Sequence, residues 1–178
     1  AGQLLTLQEA ARRVQGGLSA WKGLADKPEL LGEVIPETLS HFRAQNGRIR
    51  FEQEDELLMA RMDARLIMQV VTNLVDNALK YTPADAPIVV RTLRRDGMAV
   101  VEVADGGPGI PDEAKEKVFE MFYTTSKGKG DGRRGLGLGL ALCKAIIAAH
   151  GGSICVRDNV PNGAVFSFTL PEERIEMS

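Results

Sequence analysis

Gly135-Leu136-Gly137-Leu138-Gly139-Leu140 places a glycine at every second position. Such a run suits neither a strand nor a helix interior, because glycine has the most backbone entropy to lose on ordering. It suits places where backbone must come close to a ligand or adopt positive φ. The run passes into residues 140–149, which are apolar and helix-forming, and stops at His150-Gly151-Gly152, a glycine helix end. A glycine-rich loop feeding a helix N-terminus turns backbone N–H groups and the positive end of the helix dipole toward an anion. Taken alone, the stretch is either a phosphate-binding loop or a flexible linker ahead of an amphipathic helix. The upstream segments decide between the two.

The 178 residues suffice for one domain with a core of its own. Apolar residues make up 44% and charged residues 26%, the balance of a globular chain rather than a disordered one. A net charge of −2 argues against a nucleic-acid partner, which would call for a basic surface. No apolar run approaches the roughly 20 residues of a membrane span, so no direct membrane insertion is expected. Residues 1–7 lack a basic start followed by an apolar core, so no secretory leader is expected. The two cysteines, Cys143 and Cys155, have no metal-ligand spacing; both read as small core residues in a reducing compartment.

Along the chain, Leu4, Leu7, Ala11, Val14, Leu18 and Trp21 form a helical stripe interrupted by Gly16-Gly17. Residues 29–44 predict a second helix, with Leu31, Val34, Ile35, Leu39 and Phe42 on one face. After the Asn46-Gly47 turn, residues 48–53 read as a short strand and residues 57–62 as its partner. Asp63 is expected to cap a helix over 64–81, whose apolar face is Leu66, Ile67, Val70, Val71, Leu74, Val75 and Ala78. Residues 88–93 and 98–103 form a hairpin through Arg95-Asp96-Gly97. Residues 112–120 read as a short helix, and 123–134 as a polar loop. Residues 153–157 and 164–170 make a last hairpin about Pro161-Asn162-Gly163. This order predicts an α+β, two-layer sandwich: a mixed, mostly antiparallel sheet with helices on one face. It is not a Rossmann pattern, because no glycine-rich segment follows a strand in a βαβ unit.

Three groups of residues could carry chemistry. Asn73 and Asn77 lie four apart on one helix face, and Lys80 and Tyr81 continue that face. An amide oxygen is a hard ligand suited to Mg2+, and lysine is a point charge for phosphate; the bland alternative is a solvated polar face. Asp105, with Gly107 and Gly109, is a carboxylate on a glycine turn that could accept a hydrogen bond from a base amine, or simply a tight turn. Phe119 and Phe122 flank the polar loop and are either core or the base of a lid. Arg133 and Arg134 abut the glycine run, within reach of a terminal phosphate.

Taken together, these stretches resemble the ATP-binding catalytic domain of sensor histidine kinases. Asn73-Leu-Val-Asp-Asn77-Ala-Leu-Lys80-Tyr81 resembles the N box, and Asp105-Gly-Gly-Pro-Gly109, followed by Ile110, the G1 box. Phe119-Glu-Met-Phe122 resembles the F box, and Gly135-Leu136-Gly137-Leu138-Gly139-Leu140 the G2 box. All four stand in the family's order within residues 29–171. Residues 122–152 and 157–171 are most similar to the potassium-responsive members. The resemblance implies the Bergerat ATP-binding fold, shared with gyrase B, Hsp90 and MutL. It implies ATP and Mg2+ as cofactors, with Asn77 on the metal, Asp105 on the adenine amine, and residues 123–134 as the ATP lid. It further implies that Asn73 and Lys80 assist catalysis, and that Gly137 and Gly139 cap the phosphates. Gly106 stands where the G1 box usually has asparagine. Thr124 stands where many members have arginine, leaving phosphate contact to Lys127, Lys129, Arg133 or Arg134.

Self-contained ATPases of this fold carry a glutamate general base one turn before the metal-binding asparagine. Here that position is Asn73, which takes no proton at neutral pH. The resemblance therefore implies a kinase half, with the self-contained ATPase and a nucleotide sensor without turnover as alternatives. Ser40-His41-Phe42-Arg43 lacks the acidic residue and proline of a phosphoacceptor box, and His150 suits a helix end. The acceptor histidine is thus expected on a separate dimerisation domain, with a response regulator as the later partner. Residues 1–27 are expected to be the end of that domain, and residues 28–178 the catalytic domain. A cytoplasmic location is expected, in a full-length protein anchored in the membrane.

Overall fold

The computed structural model describes residue 12 and residues 24–45, 47–120, 123 and 139–174. In chain order these form β1 (Lys27–Leu30), α1 (Leu31–Leu39), β2 (Ile49–Gln53), β3 (Met59–Met62), α2 (Ala64–Tyr81), β4 (Ile88–Arg95), β5 (Met98–Ala104), α3 (Gly139–Ala149), β6 (Ile154–Asp158) and β7 (Ala164–Pro171). Short 3-10 segments lie at Ser40–Gln45, which is kinked at Phe42, and at Asp112–Ala114 and Lys117–Phe119.

The main sheet has the order β2-β4-β5-β7-β6. Only β2 and β4 run parallel; the other neighbours are antiparallel. The β4–β5 turn places Asp96 and Gly97 at φ 53° and 76°, the conformation that matches strand twist in a two-residue hairpin. Strand alternation then sorts the side chains. Val90, Val101, Val103, Phe166, Phe168 and Leu170 join Val70, Val71, Leu74, Ile146 and Ile147 of α2 and α3 in one buried core. Fully burying each such side chain contributes about 1.5–3 kcal/mol, so the two helices are held by the sheet's apolar face. The expected two-layer sandwich is what forms.

The opposite sheet face carries a charged row that the sequence reading did not single out. Glu52, Arg91 and Glu102 are register partners across β2, β4 and β5. Arg91 reaches Glu52 at 3.2 Å and Glu102 at 3.4 Å, and Arg157 reaches Glu102 at 2.6 Å. Glu102 is only 2% exposed, a depth at which a carboxylate needs such partners.

Four local expectations are corrected. The second helix begins at Leu31, not residue 29, because Glu29 and Leu30 pair antiparallel with Ala60 and Met59; it gives way to a 3-10 turn at Ser40. For the same reason β3 partners β1 in a two-stranded sheet, and β2 pairs instead with β4. Helix α2 spans Ala64–Tyr81 as expected, but Asp63 makes no side-chain cap; its carboxylate accepts the Ala25 N–H at 3.3 Å instead. Residues 112–120 form two separate 3-10 turns rather than a helix.

The small sheet is tied to the large one by Arg94. Its guanidinium lies 2.7 Å from Glu172 and 3.1 Å from Asp55, and Glu172 also bridges to Ala60. The Arg94 hydrogen bond holds the Glu172 carboxyl below the usual glutamate range. Asp55 is lowered first by the Leu57 backbone N–H and then by Arg94.

Candidate functional site

Helix α2 buries Ile67, Val70, Val71, Leu74, Val75 and Ala78, which turns the remaining face toward the candidate site. Asn73 and Asn77 are half-buried there, and Lys80 and Tyr81 are exposed. The two asparagines differ in surroundings. The Asn73 amide donates to Cys143 Sγ of α3 at 3.7 Å. Among the described residues, Asn77 makes no side-chain hydrogen bond, leaving its amide oxygen for a ligand. Burial pushes the Cys143 thiol up to about 12, so it stays a neutral core group, as expected. Cys155 does not: it is exposed on β6, opposite Ser167 on the charged face.

Asp105 follows β5 and is buried. Its Oδ1 accepts the Gly107 N–H at 2.9 Å and the Ala164 N–H at 3.2 Å. Among the described residues, Oδ2 accepts no hydrogen bond and is the free face of the carboxylate. Gly107 rests on the end of α2, where a Cβ would lie 2.7 Å from the Tyr81 carbonyl oxygen. No other residue type fits that approach. Thr82 Oγ1 is buried beside it, without a partner among the described residues. Gly109 takes φ +78° against Gly163, and Ile110 packs on the core.

Three further residues shape this end of the molecule, and the sequence reading missed them. Arg48 donates to the carbonyls of Thr82, Pro83 and Ala86 at 3.0, 2.8 and 3.0 Å, fixing the chain that leaves α2. Asn159 donates to Asp105 O at 2.8 Å, and Asn162 to Gly106 O and Gly107 O at 2.8 and 3.2 Å. The only signal available was two asparagines bracketing a hairpin turn, which a turn alone explains.

Helix α3 begins at Gly139, with Leu140 half-buried against the core. At its far end Gly151 N donates to Ala148 O and Gly152 N to Ile147 O, both at 3.0 Å, the paired bonds of a glycine stop. The expected helix-end role of His150 holds: its Nδ1 lies 2.7 Å from Ile146 O. Its Nε2 also accepts the Asp63 backbone N–H at 3.0 Å, joining α3 to the start of α2. His41 is exposed in a 3-10 turn. Phe119 proves to be core, edge-on to Phe166 with ring centroids 6.0 Å apart. Phe122, Lys127, Arg133, Arg134, Gly135, Leu136, Gly137 and Leu138 lie outside the described residues.

No three His, Cys, Asp or Glu side chains are grouped to hold a metal among the described residues. The Asn77 amide oxygen is a hard donor of the kind Mg2+ takes in small number.

A mixed sheet backed by α2 and α3, with the turn at 105–109 seated on the end of α2, is the architecture of a Bergerat-type ATP-binding domain. Residues 62–174 match the family described as histidine kinase-, DNA gyrase B- and HSP90-like ATPase, and the chain belongs to that family. The sensor protein KdpD of Clostridium acetobutylicum is 36% identical over 145 residues, covering 82% of this chain and 16% of that protein. The adaptive-response sensory kinase SasA of Crocosphaera subtropica is 46% identical over 149 residues, covering 83% of this chain and 38% of that one. The chain thus spans well under half the length of these relatives. Among solved structures, the catalytic domain of histidine kinase ThkA superposes with a TM-score of 0.72 at 36% identity, covering 84% of this chain and 97% of that domain. ThkA in complex with the response regulator TrrA superposes at 0.71 with 33% identity, over 94% of this chain and 48% of that one. The chain is a sensor histidine kinase catalytic domain.

Proposed function

We propose that this chain binds Mg·ATP and donates the γ-phosphoryl group to a histidine on a separate dimerisation domain, with a response-regulator aspartate as the later acceptor. The observation that carries the reading is the Asp105 carboxylate. Two backbone donors fasten Oδ1, which leaves Oδ2 to accept a hydrogen bond from the adenine amine. Asn77 holds the metal, Lys80 attracts phosphate, and Tyr81 with Gly107, Gly109 and Ile110 lines the base. The backbone of Gly135 to Leu140 caps the phosphates, and Phe122, Lys127, Arg133 and Arg134 close over them.

Phosphoryl transfer asks a protein mainly for positioning and charge neutralisation. Bound Mg2+ would supply neutralisation between the phosphate oxygens. The bond from γ-phosphorus to the bridging oxygen breaks, a phosphorus–nitrogen bond to the acceptor imidazole forms, ADP leaves, and the imidazole proton passes to a base near the acceptor. Asn73 cannot be that base, and its amide is already bonded to Cys143. That is the observation against a self-contained ATPase.

The similarity to KdpD supports a potassium or osmotic input; the similarity to SasA supports a different input with equal force. The division into residues 1–27 and 28–178 is part of the proposal, with β1 opening at Lys27. So is a cytoplasmic domain of a membrane-anchored kinase. No helix among the described residues is long and apolar enough to cross a membrane, so the proposed anchor would lie outside them.

The test is incubation with γ-labelled ATP and Mg2+, with and without a histidine-bearing dimerisation domain. Acid-labile label on the added domain alone is expected. Stoichiometric label on His41 or His150, or rapid phosphate release abolished by Asn73→Ala, would overturn it.

A further inference from the structure

We propose that the β6–β7 turn, residues 159–163, is a positioning element of the nucleotide site, with Asn162 and Asn159 setting the angle at which Asp105 presents Oδ2 to the base. The inference rests on the reading of Asp105 as the adenine-binding group. The turn at 105–109 is made largely of glycine and proline, so it has almost no side chains with which to pack itself in place. Its carbonyls at Asp105, Gly106 and Gly107 are instead taken up by the amides of Asn159 and Asn162. The same hairpin supplies the second donor to Oδ1, since Ala164 N directly follows the tip.

Contact between the two turns is close. At Gly163, φ +108°, a Cβ would fall 1.9 Å from Asp105 O, so the tip is pressed against the very peptide that carries the carboxylate. Oδ1 is thereby gripped from two sides, by its own turn through Gly107 N and by the hairpin through Ala164 N. Loosening the hairpin leaves only the first grip, and a carboxylate held by one hydrogen bond swings about it. Neither asparagine touches the base in this scheme; each acts through Asp105.

The readout is the ATP-to-GTP affinity ratio of the full 178-residue chain with Mg2+, measured by displacement of trinitrophenyl-ATP. A merely structural role would lower both affinities by one factor, because an unfolded fraction binds neither nucleotide, and the ratio would stay put. The positioning role lowers the ratio. Asn162→Ala removes two hydrogen bonds and is expected to weaken ATP about tenfold while leaving GTP within about twofold. Asn162→Asp keeps the shape, turns an acceptor toward two carbonyl oxygens, and is expected to lower the ratio at least as far. Asn159→Ala, which loses the bond to Asp105 O and the one its Oδ1 accepts from the Val160 N–H, provides the same readout should position 162 not tolerate change. If the unmutated chain prefers ATP and Asp105→Asn abolishes that preference, yet the Asn162 and Asn159 variants keep the full ratio, this inference alone is overturned. If the unmutated chain does not distinguish ATP from GTP, the reading of Asp105 fails first.

Discussion

Replacing Asp105 by asparagine changes one oxygen to an NH2 group and removes one charge, and the structure dictates which oxygen changes. Gly107 N and Ala164 N both donate to Oδ1, at 2.9 and 3.2 Å. The carbonyl oxygen of the new amide must stay there, because the flipped amide would face two N–H donors with a third. The NH2 group therefore takes the place of Oδ2 and meets the adenine amine donor to donor. A hydrogen bond to a charged group contributes about 1.5–3 kcal/mol, and about 1.4 kcal/mol is a factor of ten. ATP affinity should fall roughly 10- to 150-fold by these magnitudes. GTP, which offers a carbonyl oxygen at that position, should bind no worse and gain relative to ATP. Calorimetric titration with each nucleotide in Mg2+ measures both, and a melting curve without nucleotide shows that the fold is retained. An Asp105→Asn variant that is folded and binds ATP within twofold of the unmutated chain would refute the reasoning.

Four other substitutions follow from the geometry. Asn77→Ala should abolish the Mg2+-dependent part of ATP binding without lowering the melting temperature, since the amide has no protein partner among the described residues; Asn73→Ala should cost stability as well, having lost its contact with Cys143, and titrations with and without Mg2+ separate the two. His150→Ala removes an acceptor from Asp63 N and a donor from Ile146 O, and should destabilise by about 1–3 kcal/mol in chemical denaturation; an unchanged midpoint would contradict the tie between α2 and α3. The Glu172 and Asp55 carboxyls titrate below their usual range, so the unfolded chain binds their protons more readily. Their stabilisation is complete above about pH 4.5 and is lost as pH falls through the folded values. Glu172→Gln should therefore lower stability at neutral pH and flatten its decline between about pH 5 and 3; parallel stability–pH curves would contradict the Arg94 clamp.

What could be read from the sequence was what depends on near neighbours in the chain. The stripe from Ile67 to Ala78 marked out α2 because a 3.6-residue period sustained over more than three turns has no competing reading. The two hairpins were legible from alternation and from Asp96-Gly97 and Asn162-Gly163. Strand β1 was not, because its partner lies some 30 residues on, and Leu30-Leu31-Gly32 looks locally like helix. Nor was the pairing of β2 with β4 rather than β3, a choice made by tertiary packing. The polarity of the Asn73–Tyr81 face and the glycine turn after Asp105 were visible, but the split between an engaged Asn73 and a free Asn77 was not: it needs Cys143, seventy residues away. Glu102 escaped notice because a glutamate in an alternating strand reads as solvated, and only the arrival of Arg91 and Arg157 on either side makes it buried.

The bond from His150 to the start of α2 has a mechanical consequence. Helix α3 is anchored at its C-terminal end by a side chain that uses both ring nitrogens and by a glycine stop immediately beyond. Its described part begins at Gly139. Sliding α3 along its axis would break the anchor; tilting it about His150 would not. With 11 residues at 1.5 Å each, the helix is a lever about 16 Å long, so a tilt of about 5° carries Gly139 through roughly 1.4 Å while the fulcrum stays still. Amide exchange should accordingly be slowest at Gly151 and Gly152 and quicken toward Gly139.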